Sequence, residues 1–100
     1  MREDRDGRAI TLHLDVEQFP SRFHVKVSDD DGTTEHDVTL SRADHDRLGV
    51  RYPSPEEFIR ACFEFLLERE AKRSILRSFD VSQIATYFPD FDREIARPDR

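Results

Sequence analysis

The stretch Phe23–Leu40, FHVKVSDDDGTTEHDVTL, decides the fold. Phe23, Val25 and Val27 alternate with His24, Lys26 and Ser28, and past the aspartates His36, Val38 and Leu40 alternate with Asp37 and Thr39. A period of two is the mark of a strand with one buried face. Between the two runs lies Asp31-Gly32, a strong short-range hairpin signal. Centring the turn there pairs Phe23 with Leu40, Val25 with Val38, Val27 with His36 and Lys26 with Asp37. A slip of one residue would set Asp37 against Val27 and mix polar with apolar on both faces.

Working outward, Ile10, Leu12, Leu14 and Val16 alternate with Thr11, His13, Asp15 and Glu17, which predicts a preceding strand. With a loop over residues 17–22, His13 falls opposite Lys26 and Asp15 opposite His24. On the other side, Ser41 caps a short helix that stops at Gly49. Ser54, Pro55 and Glu57 then open a longer one, with Pro at the first helical position. Phe58, Ile59, Cys62, Phe63, Leu66 and Leu67 make its apolar stripe, opposite Glu57, Arg60, Glu64 and Glu68. The pattern predicts helix from Pro55 to about Ala71, with continuation towards Arg77 left open. Asp80 and Gln83 form a further capping pair before Ile84, Ala85, Tyr87 and Phe88. Pro89 breaks that segment, and Asp90 caps a last turn bearing Phe91 and Ile95. The expectation is an α+β domain over residues 9–96. It is a three-stranded antiparallel meander followed by a short helix, one long amphipathic helix and a short helical apolar tail. Disordered ends are expected at 1–8 and 97–100.

At 100 residues the chain suits one core. Its apolar share is 36% against 38% charged, and eight phenylalanines supply much of the area that such a core must bury. A single cysteine excludes an intramolecular disulfide and a cysteine-based zinc cluster. No apolar run reaches the roughly 18 residues of a membrane span, and a polar start argues for a cytoplasmic protein. The net charge is −6 and is concentrated. Asp29, Asp30, Asp31, Glu35, Asp37, Asp44 and Asp46 face Arg42 alone within residues 28–46, whereas Arg60, Arg69, Lys72, Arg73 and Arg77 outnumber Glu64, Glu68 and Glu70 in residues 60–79. An acidic hairpin repels a phosphate backbone, so DNA is a poor partner.

Glycine stands only at 7, 32 and 49, which leaves no phosphate-binding glycine loop. The aspartate run fails as a calcium loop, because an EF-hand placed on Gly32 would require ligands at Val27 and Val38. On the outer sheet face His13, Asp15 and His24 form a weak candidate for a metal or acid–base group, short of a firm third ligand. Cys62 sits in the apolar stripe and reads as a buried structural thiol. Arg69, Lys72, Arg73 and Arg77, at helical spacing, join the tail aromatics Tyr87, Phe88 and Phe91 as a candidate interaction patch. No catalytic group and no cofactor is indicated.

Residues 23–95, with SPEEFIRACFEFLLERE and FDVSQIATYFPDF, resemble a small bacterial α+β family of unknown function, which implies a fold and no activity. Residues 36–70 also resemble the ribbon-helix-helix repressors and antitoxins of the Arc and MetJ kind, from the order of strand, short helix and capped second helix. That resemblance implies a dimer laying a two-stranded ribbon in the DNA major groove. Here the ribbon would present Glu35, Asp37 and Thr39, and two carboxylates are ill suited to the task. The expectation is a non-catalytic protein-interaction or regulatory module whose partner is a protein, a second copy of the chain included. The alternative is a ribbon-helix-helix-like DNA-binding regulator or antitoxin. A small metal-dependent enzyme, resting only on the outer-face histidines, is a third.

Overall fold

A computed structural model describes residues 8–97. The expected disordered ends fall almost wholly on residues 1–7 and 98–100, outside the described residues. Strands β1 (Ala9–Val16), β2 (Ser21–Asp29) and β3 (Gly32–Leu40) form the expected antiparallel meander. Helix α1 (Arg42–Arg47) follows, capped by the Ser41 hydroxyl, which accepts from the Asp44 amide at 3.1 Å. Helix α2 (Pro55–Leu67) starts at Ser54, whose hydroxyl accepts from the Glu57 amide at 3.1 Å. Then come β4 (Ser78–Asp80), α3 (Ile84–Tyr87) and α4 (Phe91–Ile95). The Asp80–Gln83 capping box forms as expected and leads into α3 through a 3₁₀ turn.

The sheet has four strands in the order β1-β2-β3-β4, and β4 runs parallel to β3, so the three-stranded meander is corrected to a mixed sheet. Three residues are too few to show a period. The strand exists because burying Phe79 beside Val38 brings the backbone within bonding range, the Asp37 amide donating to the Arg77 carbonyl at 2.7 Å. Helix α2 also ends at Leu67, short of Ala71. Beyond it the Arg69 guanidinium turns back over the Phe65 ring at 3.7 Å and bonds the Asp90 carboxylate at 2.7 Å. Those contacts hold the chain against the tail, and only a 3₁₀ turn remains of the continuation towards Arg77.

Both registers differ from expectation by two residues. Phe23 pairs with Val38, Val25 with His36 and Lys26 with Glu35, and the turn residues are Asp30 and Asp31. The expected Asp31-Gly32 turn would need positive φ at Asp31, whereas among the described residues only Gly32 adopts it, at φ 125°. The Asp31 amide instead bonds the Asp29 carboxylate at 2.8 Å, and glycine takes the position after the turn. Likewise His13 faces His24, not Lys26, and Asp15 falls in an irregularity between Leu14 and Val16. An even shift preserves the faces, so Phe23, Val25, Val27, Val38 and Leu40 all point inward as expected.

Helix α2 lays Phe58, Ile59, Cys62, Phe63, Phe65 and Leu66 into the core that the sheet's inner face shares with Phe79, Val81, Ile84, Phe91 and Ile95. The tail therefore packs on the body of its own chain. The opposite face of the sheet carries Thr11, His13, Arg22, Lys26, Glu35 and Asp37 exposed to solvent.

Candidate functional site

The end of α2, the turn after it and α3 enclose an apolar groove of about 330 Å³. Its floor is Leu66, Ile75, Phe79 and Ile84, all buried, and Phe88 is half-buried along it. Leu76 and Tyr87 stand at the rim, 45% and 63% exposed. Glu70 also lines the groove. Partial burial pushes its carboxyl above the usual carboxylate range, and no hydrogen bond or ion pair among the described residues offsets that. Partial desolvation beside apolar side chains disfavours the charged carboxylate unless a cation pairs with it.

The expected patch does not assemble as one surface, because its helical spacing ended with α2. Arg69 is spent on Phe65 and Asp90. Lys72 is only 7% exposed and pairs with Asp29 at 2.8 Å. Phe91 is 1% exposed, a core residue. Arg73 and Arg77 line a different, polar groove of about 630 Å³ beside β3, with His24, Glu35, Asp37 and the buried His36. Tyr87 and Phe88 alone reach the apolar groove. Sequence reasoning missed Glu70, Ile75 and Leu76, whose shared surface exists only once the chain doubles back after Leu67.

On the outer sheet face the weak candidate is rearranged. His13 Nε2 lies 3.4 Å from Asp15 Oδ1. His24 is held between two carboxylates of β3, its Nδ1 2.9 Å from Asp37 and its Nε2 2.7 Å from Glu35. Those bonds, Asp37 first and Glu35 second, raise the His24 pKa and lower that of Glu35. Asp15, His24 and Asp37 each place a ligand atom within 4.8 Å of the others. Asp37 and Glu35 escaped the sequence reading because they meet His24 only in the true register. His36, by contrast, is buried between the Thr34 hydroxyl and the Leu76 carbonyl, and burial lowers its pKa. Cys62 is buried and its thiol pKa is driven up by desolvation, as expected of a structural cysteine.

Over Asp37–Thr39, β3 is paired on both sides within its own chain, leaving no free edge there for a ribbon shared between two copies. Among the described residues no helix is long and apolar enough to cross a membrane. Comparison with protein-family models, with curated proteins and with solved structures finds no match to this chain.

Proposed function

We propose that this α+β domain is a non-catalytic protein-interaction module that docks a short apolar segment bearing a lysine or arginine into the groove between α2 and α3. The observation that carries this reading is Glu70, a partly desolvated carboxylate with no ion-pair partner among the described residues, lining the same groove as the exposed Leu76 and Tyr87. Burying the two rim side chains would supply the apolar part of the affinity. The incoming cation would relieve the desolvated carboxylate and supply specificity. Beyond Glu70 and the Tyr87 phenol the groove walls hold no ionisable group, which suits recognition better than proton-transfer chemistry.

A segment fits better than a second copy. A stable interface buries about 800 Å² per partner. Among the described residues the exposed large apolar side chains are Leu76 and Tyr87 at the groove and Val16 and Val50 on other elements. Selection from a displayed random-peptide library tests the proposal. Enriched sequences should combine two or three apolar residues with one basic residue. Tyr87→Ala should abolish their binding, and Glu70→Gln should remove the preference for the basic residue. Enrichment without a basic position, or binding indifferent to Glu70→Gln, would sink it. A concentration-dependent dimer that Tyr87→Ala dissolves would replace the segment with a second copy.

A further inference from the structure

We propose that the solvent face of the sheet is a binding site for one divalent transition-metal ion of the zinc class, with His24, Asp37 and Asp15 as ligands and Glu35 as the group that orients His24. The site is independent of the apolar groove and of its proposed occupant.

The backbone supplies the first argument. His13, His24 and Asp37 are direct cross-strand partners, so they form a row across β1, β2 and β3 on one face. Side chains in such a row stand roughly 4.5–5.5 Å apart at Cβ, close enough to share an ion. Asp15 would be out of this row in a regular strand. The irregularity between Leu14 and Val16 makes it the extra residue of a bulge, a device that re-aims a side chain. Its carboxylate comes to within 4.8 Å of both the His24 ring nitrogen and the Asp37 oxygen. Zinc bonds of about 2.0–2.2 Å put tetrahedral ligand atoms roughly 3.3 Å apart, so small side-chain rotations on an exposed face close the site.

The chemistry of the donor set supplies the second. One imidazole nitrogen and two carboxylate oxygens are a borderline set that suits zinc or cobalt(II) over calcium, which takes oxygen alone. A histidine that ligates through one nitrogen almost always donates its other N–H to a carboxylate or carbonyl. Glu35 already stands in that place, 2.7 Å from Nε2, which leaves Nδ1 for the metal beside Asp37. Water or the exposed His13 completes four-coordination. Binding displaces the Nδ1 proton to solvent, while the Nε2 proton stays on the bond to Glu35. The ion thus exchanges one positive charge for two among Asp15, Glu35 and Asp37. The cations around the cluster are Lys26, opposite Glu35 on β2, Arg22 on the same face of β2, and Arg73 and Arg77, which line the groove beside β3 with His24, Glu35 and Asp37. An ion here would tie the edge strand β1 to the centre of the sheet.

Calorimetric titration of the untagged full chain with zinc, and the visible spectrum with cobalt(II), test the proposal. One equivalent should bind, with the d–d absorption of a four-coordinate ion and a raised melting midpoint. Below the His24 pKa, affinity should rise about tenfold per pH unit as the competing proton is lost. His24→Gln and Asp37→Asn should abolish binding. Glu35→Gln, which touches no metal, should weaken it about 10–100-fold. His45→Ala, on α1, should leave it unchanged. Glu35 and Asp37 are exposed and His24 and His45 half-buried, and circular dichroism will show that each variant folds. No saturable binding up to millimolar zinc would overturn the site. So would binding that survives His24→Gln, or that falls equally with His45→Ala.

Discussion

Replacing Phe91 with alanine tests whether the apolar tail belongs to its own chain. Phe91 is 1% exposed and meets Phe65 edge-on, with ring centroids 5.1 Å apart and planes at 72°. Phe65 is itself fully buried, takes Phe88 on a second edge at 6.0 Å, and carries the Arg69 guanidinium on its face. The tail is tied down further where Arg69 bonds Asp90 and where the Tyr52 hydroxyl donates to the Ile95 carbonyl at 2.6 Å. Removing a fully buried phenylalanine costs about 3–5 kcal/mol, of which the edge-to-face geometry accounts for roughly 0.5–1.5 kcal/mol. Domains of this size hold only about 5–15 kcal/mol in all. At roughly 4–8 °C per kcal/mol, the melting midpoint should fall by on the order of 20 °C. Urea denaturation followed by far-UV circular dichroism at two protein concentrations is the assay. The wild-type midpoint should not depend on concentration. Tyr87→Ala, 63% exposed and only four residues away, should stay within about 0.5 kcal/mol of wild type. A Phe91→Ala loss below about 1 kcal/mol, or a wild-type midpoint that rises with concentration, would refute intrachain packing of the tail.

The two inner-strand histidines should titrate in opposite directions from the ordinary value of 6.5. His24, raised by Asp37 and Glu35, contributes stability that is fully present below pH 6.5 and lost as pH rises through its higher folded pKa. His36, lowered by burial, contributes stability present above pH 6.5 and lost as pH falls towards its folded value. Ring-proton NMR without metal should find His24 titrating above His36, and the reverse order would contradict the geometry of both. Cys62, buried with its thiol pKa pushed up, should react with a disulfide reagent only as fast as the domain unfolds. Labelling at the rate of a free thiol in the native protein would show that the α2 stripe is not sealed.

What the sequence by itself determined is which side chains face inward. Phe23, Val25, Val27, Val38 and Leu40 on the strands, and Phe58, Ile59, Cys62, Phe63 and Leu66 on α2, follow from periods of two and 3.6. The caps at Ser41, Ser54 and Asp80 were equally legible, since a cap is a contact over two or three residues. Register was not, because a pattern of period two is blind to an even shift; the backbone of Asp30-Asp31-Gly32 decides it. That shift carries Asp37 and Glu35 to His24, so the composition of the outer-face cluster was hidden by the same ambiguity. The end of α2 and the existence of β4 depend on partners far along the chain. Arg69 meets Asp90 and Phe79 meets Val38, and no local propensity encodes either meeting. For Lys72 and Phe91 the outcome rested on the same cause, since an ion pair with Asp29 and a ring stacked edge-on against Phe65 turn two expected surface residues into buried ones. The apolar groove is the space those long-range contacts leave between α2 and α3, which is why only the tertiary structure could place Glu70 beside Leu76 and Tyr87.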